Sequence, residues 1–400
     1  MGKQGIDLNN LDKSNWKTYR FDEIAQNISE RVDPNNTDLT VYIGLEHIDS
    51  ESLHIKRHGT PDDVNGTKLK FYKGDIIFGR RRAYQRKAGI ATTDGFCSAH
   101  ALVLRANPDV INPELFPFFL HSDLFMNRAV DISVGSLSPT INWGALKHQE
   151  FLVPPMEQQV EFSEMLLSGE DLTQKLFFVR KKLNSTKDAL FKEAIYEFSE
   201  ELTDFGHLAS KHPVVKLGSA LDILQYGISE SLGEIGETPV LRMNNVQDGY
   251  LDINDLKYYS ENGNKINNFI LNSGDVLFNR TNSFDLVGKT CLFHEEERYS
   301  FASYLIRLVT KKHHLDPDYL NFYMNSKVGL AKIRKYRTPG VSQSNINAQS
   351  LRNLVLPLPG IDFQKELMGK VRKIRENEIR ITANIVDTEN LQRTIISQVF

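Results

Sequence analysis

The chain has 400 residues, of which 40% are hydrophobic and 25% are charged. Because a single hydrophobic core rarely grows beyond about 250 residues, this length predicts two or more folded units, and the composition excludes a wholly disordered or fibrous chain. The net charge of -3 means that any contact with nucleic acid depends on local basic patches, since the whole molecule weakly repels phosphate.

The N-terminal segment and the two cysteines predict the cellular compartment. Residues 1–10 lack a basic stretch followed by an apolar run, and no run approaches the roughly 18 apolar residues of a membrane span. We therefore expect a soluble, cytoplasmic protein with no membrane partner. Cys97 and Cys291 are far apart in the sequence, so we expect reduced, buried thiols and neither a disulfide nor a cysteine-based zinc site.

Four blocks follow one another in the first half of the chain. Residues 73–80 (KGDIIFGR) predict a turn, a buried strand and a basic residue where the strand ends, and residues 112–116 (NPELF) predict a proline-started apolar helix. Residues 135–142 (GSLSPTIN) indicate a polar loop. Residues 151–159 (FLVPPMEQQ) then predict an apolar strand that passes through prolines into a helix start.

A long amphipathic helix is predicted over residues 157–201, and an interruption near Gly169 stays open. Its apolar residues follow the four-three spacing of a heptad seam: Leu172, Leu176, Val179, Leu183 and Leu190. Residues 202–212 contain Gly206, Ser210 and two histidines but few apolar residues, a composition that predicts a loop.

The second half repeats the four blocks in the same order. The matching segments are residues 273–280 (SGDVLFNR), 316–320 (DPDYL), 340–347 (GVSQSNIN) and 356–364 (LPLPGIDFQ). A second long helix is predicted over residues 362–400, with a seam that shifts register towards Leu391 and Ile395. The earlier part of that seam comprises Leu367, Val371, Ile374, Ile381 and Ile385. We infer an internal duplication, in which the two helices pair and hold the copies on the order of 50–60 Å apart.

The sequence contains no catalytic motif that we recognise. Residues 288–290 (GKT) resemble the end of a phosphate-binding loop, but Ser283 replaces the earlier glycine that such a loop requires. Dinucleotide fingerprints, nucleophile elbows, zincin histidines and the motifs of amino-methyltransferases and nucleases are also lacking. We therefore expect a non-catalytic chain without a metal ion, although an enzyme that uses unrecognised residues stays an alternative.

Cationic and amide side chains on loops are predicted to bind DNA. In the first half no acidic residue lies between Ile76 and Thr93, and the candidates there are Arg80, Arg81, Arg82, Tyr84, Arg86 and Lys87. Guanidinium groups grip phosphate or bridge two acceptors on a guanine edge, and side-chain amides pair with adenine in the same manner. A solvated hairpin tip is the alternative interpretation.

The second half carries fewer cations at the matching position, as a reader of two unlike half-sites would need. Its candidates are Arg280, Asn282 and Lys289, with Arg242, Asn244 and Asn245 after an earlier strand; Tyr42, Glu46 and His47 take the comparable place in the first half. The polar loops add Ser136, Ser138 and Thr140, and then Ser342, Gln343, Ser344 and Asn345. Each loop residue is an equal candidate for capping the following helix or turn.

In the order and duplication of these motifs, the chain resembles the specificity subunits of type I restriction-modification enzymes over essentially its whole length. The matching features are the Gly-Asp-apolar strands at Gly74 and Gly274, the polar loops with Ile-Asn, and the helix starts at Gln159 and Gln364. The second helix start departs from the family pattern, because residues 360–363 (GIDF) reduce the usual Glu-Gln pair to Gln364 alone.

The resemblance implies a mixed α/β (α+β) fold with a pseudo-two-fold internal repeat. Two target recognition domains, residues 1–156 and 206–361, would be separated by two long spacer helices, residues 157–205 and 362–400, that form an antiparallel coiled coil. Each recognition domain would read one half of a bipartite target in double-stranded DNA. The seam residues of the helices would hold the coil together and support subunit docking.

The partners implied by the resemblance carry the catalysis. Two methyltransferase (modification) subunits would bring S-adenosylmethionine, and restriction subunits with ATPase and nuclease activity would bring ATP and Mg²⁺, so that this chain itself would bind no cofactor. Two competing interpretations stay open: a coiled-coil protein–protein adaptor with two globular heads, and a detached recognition part of a fused methyltransferase-nuclease.

Overall fold

The computed structural model describes residues 8–197, 209–247, 249–260, 264–340 and 343–400. The chain divides into two compact units, one formed by Met1–Val179 with Ile381–Phe400 and the other by Arg180–Arg380. Each unit thus contains one copy of a globular domain and a part of each long helix. The predicted domain limits stay predictions, and the loop predicted at 202–212 lies mostly outside the described residues.

The globular domain of the first unit is built from short strands and four short helices. The strands are β1 (Lys17–Arg20), β2 (Ala25–Ile28), β3 (Arg31–Val32), β4 (Tyr42–Ile43), β5 (Lys68–Phe71), β6 (Ile76–Gly79), β7 (Ala88–Ile90), β8 (Gly95–Cys97), β9 (Ala101–Ala106) and β10 (Glu150–Val153). The helices are α1 (Phe21–Ile24), α2 (Phe116–His121), α3 (Asp123–Asp131) and α4 (Trp143–Leu146), followed by the long α5 (Met156–Ile195). The strands form sheets in the orders β2-β9-β6-β7, β3-β5-β8-β4 and β1-β10.

The second unit repeats much of this order of elements and adds the short strands β16, β20 and β21. Its strands are β11 (Val214–Lys216), β12 (Leu221–Tyr226), β13 (Thr238–Leu241), β14 (Lys257–Tyr259), β15 (Val276–Asn279), β16 (Thr281–Asn282), β17 (Thr290–Leu292), β18 (Ser300–Phe301), β19 (Leu305–Thr310), β20 (Thr338–Pro339), β21 (Ser344–Asn345) and β22 (Val355–Pro357). Its helices are α6 (Pro317–Asn325), α7 (Lys327–Arg334), α8 (Ala348–Asn353) and the long α9 (Ile361–Val399). The sheet β12-β19-β15-β17 has the strand order of β2-β9-β6-β7, and the pairs β1-β10 and β11-β22 also correspond.

The two copies differ at the proline-started helices. Helix α6 begins at Pro317 as the sequence predicts, whereas α2 begins at Phe116 and leaves Pro113 in the preceding turn. The prediction for the first copy was therefore wrong by one helical turn, because Asn112 uses its side chain to accept a hydrogen bond from the Glu114 amide in that turn.

The Gly-Asp motif fixes the beginning of the central strand in each copy. Gly74 and Gly274 have φ angles of 92° and 97°, which glycine adopts without steric cost. Asp75, 2% exposed, accepts hydrogen bonds from the Tyr72 amide at 2.8 Å and from the Arg105 guanidinium at 2.7 and 2.9 Å. The motif is therefore structural: it sets where β6 starts, and hence where its other end lies.

Gln159 and Gln364 make the same hydrogen bonds at the starts of the long helices. Gln159 Oε1 accepts from the Asn112 amide at 2.7 Å, and its Nε2 donates to the Val110 and Pro154 carbonyls. Gln364 Oε1 accepts from the Asp316 amide at 2.9 Å, and its Nε2 donates to the His314 and Pro359 carbonyls. The glutamine therefore does the same work in both copies, despite the different residues before Gln364.

The long helices differ from prediction in their ends and in part of their seam. Helix α5 ends at Ile195, and it passes through Gly169 without a break. Leu172 and Val179 are 48% and 42% exposed, so the prediction that they belong to the seam was wrong. Their neighbour Thr173 is buried instead. The apolar heptad pattern predicted the wrong seam positions because a polar residue, Thr173, occupies a buried seam position of α5.

The seam predicted for α9 agrees better with burial. Leu367, Val371 and Ile385 are buried, and Ile374 and Ile381 are half-buried. The predicted register shift at Leu391 is wrong, because Leu391 is exposed while Gln392 and Ile395 are buried. The heptad spacing thus continues unbroken through a glutamine.

In each unit the local segments of α5 and α9 pack against each other. In the first unit Phe162 and Leu166 share an apolar cluster with Ile395 and Val399, and Gln392 Nε2 donates to the Leu166 carbonyl at 3.0 Å. In the second unit Phe191 shares a cluster with Leu367 and Val371, and Lys187 pairs with Glu378 at 3.1 Å. Residues later in α5 meet residues earlier in α9, which is the pairing of an antiparallel coiled coil.

Candidate nucleic-acid interface

The arginine loop and the polar Ile-Asn loop of the first domain, far apart in sequence, lie side by side. The Ile141 amide donates to the Arg80 carbonyl at 2.9 Å, the Arg82 amide donates to the Pro139 carbonyl at 2.7 Å, and Arg81 forms a β-bridge with Thr140. Both loops therefore lie at the end of the central strand β6. Two of the segments that the sequence singled out form one surface.

The exposed side chains of this surface are cationic, aromatic and polar. Arg81, Arg82 and Ser136 are exposed, and Tyr84 is 56% exposed. Arg82 has a φ angle of 57°, and its Nε lies 3.5 Å from Ser138 Oγ. A guanidinium in this position reaches solvent with most of its donors unused, as binding of phosphate or a base edge requires.

Three predicted cations of this stretch are engaged or withdrawn. Arg86 pairs with Asp123 at 2.7 Å and with Glu51 at 3.3 Å, and its Nη2 donates to the His121 carbonyl at 2.8 Å. Lys87 Nζ donates to the Leu45 carbonyl at 2.6 Å. Arg80 is half-buried, with a buried Nε. Arg86 and Lys87 hold the loop in place, and Arg80 is partly withdrawn from solvent, so fewer cations of this stretch face solvent than the sequence predicts.

The second domain joins its two loops in the same way. The Ile346 amide donates to the Arg280 carbonyl at 2.9 Å, and β16 pairs with β21 in the register Thr281 to Asn345. Arg280 Nη2 donates to Asn345 Oδ1 at 3.0 Å, and its guanidinium lies 4.8 Å from the Tyr226 ring. These interactions orient the Arg280 guanidinium and engage its Nη2 with the neighbouring loop.

The remaining candidates of this surface differ in exposure. Gln343 is exposed, whereas Asn282 and Lys289 are half-buried and Ser344 is buried. Ser342 lies outside the described residues. The capping alternative holds for the neighbouring Asn347, whose side chain accepts from the Ser350 amide at 2.7 Å.

The loop after β13 is folded around Asn245. Asn245 is 1% exposed, its Oδ1 accepts from the Arg242 amide at 2.8 Å, and its Nδ2 donates to the Asp252 and Asp255 carbonyls. The burial of this amide argues against the prediction that it contacts DNA. Asp255 also pairs with Arg242 at 3.0 Å and accepts from Asn244 at 2.7 Å.

The corresponding loop of the first domain has the same architecture. His47 Nδ1 accepts from the Gly44 amide at 3.0 Å, as Asn245 does from Arg242. Tyr42 is buried, and this burial raises the pKa of its phenol, whereas the Glu46 side chain is exposed. His47 and Asn245, whose positions in the sequence made them candidate DNA contacts, thus each stabilise their own loop by accepting a backbone hydrogen bond.

A basic segment that the sequence analysis missed lies beside the second interface. Lys332, Arg334, Lys335 and Arg337 fall within six residues at and after the end of α7. Residues 338 and 339 of β20 follow directly and pair with β21. This run could have been found by counting charged residues along the second half beyond Arg280, the residue that matches Arg80.

Within the described residues, no helix has the length and apolar character needed to cross a membrane, and no group of three or more potential ligands could hold a metal ion. Cys97 and Cys291 are buried and free, and burial raises the pKa of both thiols to about 12. Buried thiols agree with the sequence-based expectation.

The family model for the type I restriction modification DNA specificity domain matches this chain twice, over residues 13–176 and 222–387. The chain belongs to this family. Each match covers most of one globular domain, including its paired loops, and extends into the long helix that follows, so the family repeat coincides with the internal duplication.

Curated relatives of this specificity-domain chain are themselves specificity subunits. The type I restriction enzyme EcoKI specificity subunit of Escherichia coli (strain K12) is 24% identical over 310 residues, which cover 73% of this chain and 67% of that protein. The EcoDI specificity subunit of Escherichia coli is 30% identical over 167 residues, covering 40% of this chain and 37% of that protein. The chain thus aligns with about two thirds of the first relative and little more than a third of the second.

Two solved structures share the fold of this specificity-domain chain. The S subunit of a type I restriction-modification system from M. genitalium has a TM-score of 0.57 at 13% identity, with 96% of each chain covered. A chain from a study of complex assembly and conformational transition of a type I R-M system has a TM-score of 0.55 at 18% identity, covering 96% of this chain and 97% of that one. The predicted architecture of two tandem recognition domains with long helices is confirmed.

Proposed function

We propose that this chain is the DNA-reading subunit of a type I restriction-modification complex, in which each recognition domain contacts one half of a bipartite target. The observation that carries the proposal is the meeting of two distant loops at the end of the central strand in both copies. Exposed Arg81, Arg82 and Tyr84 provide donors and a stacking surface in the first domain.

The two interfaces suit two different half-sites. The first presents exposed guanidinium groups, whereas the second presents the Gln343 amide and ties its arginine to Asn345. Guanidinium groups match the acceptors of guanine, and amides match the acceptor and donor of adenine. An asymmetric target, with one half read mainly by cations and the other mainly by amides, follows from this difference.

The long helices are the proposed docking surface for the methyltransferase subunits. Apolar side chains that are exposed on these helices include Leu172, Phe178 and Val179 on α5, and Ile379, Val386 and Leu391 on α9. A methyltransferase subunit that packs along these helices would remove these apolar side chains from water. Leu172 and Val179, which the coil does not bury, thus keep a role in subunit docking.

Catalysis is proposed to lie on the partners. The methyltransferase subunits would carry S-adenosylmethionine and extrude the target base, and the restriction subunits would carry ATP and Mg²⁺. This chain would be the cytoplasmic, non-catalytic subunit that positions the complex on DNA.

The decisive experiment is co-expression of this chain with its cognate methyltransferase subunit, followed by mapping of methylated bases across the host genome. We expect methylation at a split, asymmetric motif with a fixed unread spacer. Omission of this chain should abolish the pattern. Methylation at a single continuous motif would contradict the two-domain assignment.

Binding of the purified complex to a duplex with the mapped motif provides the second test. The affinity should fall steeply between 50 and 200 mM salt, since roughly 6–10 phosphate contacts release counterions. A chain that joins the complex but leaves its DNA affinity unchanged at every salt concentration would instead be the coiled-coil adaptor.

A further inference from the structure

The two copies place their exposed cations on different elements. Helices α3 and α7 both follow a capping serine: Ser122 Oγ accepts from the Phe125 amide, and Ser326 Oγ accepts from the Gly329 amide, each at 3.1 Å. Counting from these caps aligns Arg334, Lys335 and Arg337 of the second copy with residues 130, 131 and 133 of the first, which are Val, Asp and Ser. Lys332 aligns with Arg128, so both copies have a cation at that position, whereas the three cations from Arg334 onward occur in the second copy alone.

The opposite exchange occurs at the arginine loop. The exposed Arg81 and Arg82 of the first copy align with Thr281 and Asn282 of the second, which form the short strand β16. The second copy has neutral polar side chains at the positions of Arg81 and Arg82, and the first copy has no cation at the positions of the three second-copy cations from Arg334 onward. Positive charge is retained in both interfaces, but on different segments.

The end of α7 is fixed against the loop that takes the place of the arginine loop. The Arg337 guanidinium lies 3.6 Å from the centre of the Phe284 ring and donates to the Phe284 carbonyl. Partial burial, together with repulsion from Arg334, lowers the pKa of Arg337. Arg337 thus acts as a positioning residue that holds the basic segment beside Asn282.

Arg334 and Lys335 point into solvent from this anchored segment. Both side chains are exposed. Among the described residues, the ion pairs of this unit use other cations, such as Lys327 with Asp188 at 3.2 Å. The helix dipole favours cations at the end of α7, where Arg334 is the last helical residue and Lys335 is the C-cap. Unpaired like charges held together are unfavourable in the free protein and gain from an anionic partner.

We propose that the end of α7, through Arg334 and Lys335, is a DNA phosphate-contact site of the second recognition domain, with no counterpart in the first. The inference rests on the proposed function, and it locates the electrostatic part of binding in the second domain. These cations contact the sugar-phosphate backbone beside the half-site and fix the register in which the neighbouring loops read bases.

The test compares the salt dependence of binding for the complete complex with wild-type chain and with the double variant R334A/K335A. Each lost phosphate contact should reduce the slope of log K against log salt by about 0.9, so the variant should lose about 1.8. Affinity at low salt should fall by more than tenfold, while the preferred target motif stays the same. The charge-conserving variant R334K/K335R should keep the wild-type slope.

The matched control is K312E, which changes the net charge by the same two units. Lys312 is exposed beside Gly274, at the beginning of β15, whereas the interface lies at its other end beyond Asn279. We expect K312E to alter the slope by less than half as much. Equal effects of K312E and R334A/K335A would mean that net charge alone acts, and they would overturn the site.

The experiments distinguish failure of the phosphate-contact site from failure of the proposed DNA-reading function. A wild-type slope and affinity in R334A/K335A would overturn the phosphate-contact site and leave the DNA-reading function standing. A wild-type complex whose methylation and binding do not depend on this chain would overturn the proposed function itself. Neutral methylphosphonate substitutions, scanned along the duplex, add a direct readout: some should weaken wild-type binding but leave the variant unaffected.

Discussion

Arg280 and Asn345 join the two loops of the second interface, since Arg280 Nη2 donates to Asn345 Oδ1 at 3.0 Å. Arg280→Ala removes this charge-assisted bond and the contact with the Tyr226 ring. We expect the free energy of unfolding to fall by about 1.5–3 kcal/mol, because the retained Asn345 loses a charged partner in a half-buried site. Urea denaturation followed by circular dichroism measures this, and an unchanged midpoint would show that the pair does not support the loops.

Arg82→Ala should weaken DNA binding and leave the stability of the first domain unchanged. Its guanidinium is exposed and its strongest side-chain contact is the 3.5 Å approach to Ser138, so we expect the unfolding midpoint to stay within error. DNA affinity should fall about tenfold, which corresponds to roughly 1.4 kcal/mol and lies in the range of a lost base or phosphate contact. Normal target methylation by the variant would count against this loop.

Arg86→Ala is the matched control in the same loop. Because Arg86 bonds Asp123, Glu51 and the His121 carbonyl, its loss should destabilise the first domain and lower affinity only through that instability. If Arg86→Ala and Arg82→Ala reduce DNA binding equally at full stability, the division between supporting and contacting residues is wrong.

The sequence predicted the repeat, the central strand and the long helices because these depend on local patterns. Hydrophobic runs and turn residues such as Gly74 and Gly274 report backbone conformation directly, and both strands form where expected. The sequence also placed the cations and amides on loops at strand ends. What it left open was which of them face solvent.

The sequence-based predictions were wrong where contacts between residues distant in the sequence determine whether a side chain is buried. No local sequence pattern near Asn245 indicates that its side-chain amide donates to the Asp252 and Asp255 carbonyls. In the same way Thr173 and Gln392 occupy buried positions of the long helices, so that an apolar heptad search selected Leu172 and Leu391, one residue away in each case. A polar residue in a seam breaks the pattern without breaking the helix.

Asp75→Asn tests the structural interpretation of the Gly-Asp motif. The buried carboxylate meets Arg105 in a two-point pair, and an amide keeps the shape but loses the charge and one acceptor. We expect a loss of about 2–3 kcal/mol in unfolding free energy, near the lower limit for breaking a buried pair, since Arg105 is partly exposed. Asp62→Asn, at an exposed position, is the control. Equal stability of both variants would contradict the assignment.

Glu170 predicts a pH dependence in the first unit. Its Oε1 lies 2.7 Å from His54 Nε2, and this hydrogen bond, followed by that from Gln174, lowers the pKa of the carboxyl below its ordinary value of 4.5. A lowered pKa in the folded state means that the stabilisation is present above pH 4.5 and is lost as the pH falls through the folded-state pKa.

Glu170→Gln should therefore cost about 1 kcal/mol at pH 7 and progressively less below pH 4.5. Unfolding curves of wild type and variant at pH 7, 5.5, 4 and 3 measure the difference. A difference that stays constant over this range would show that the charge of Glu170 contributes nothing.

The pairing of α5 with α9 is open to a charge-exchange test. Lys187 Nζ and Glu378 Oε2 lie 3.1 Å apart, with 22% and 14% of their side chains exposed. Lys187→Glu places two carboxylates together, and Glu378→Lys places two ammonium groups together, so each should destabilise the coil by about 1–3 kcal/mol. The double exchange restores an opposite-charge pair and should recover most of the loss. Because the pair forms only where a late residue of α5 meets an early residue of α9, recovery supports the antiparallel arrangement. Additive losses in the double variant would mean that the two side chains do not meet in solution.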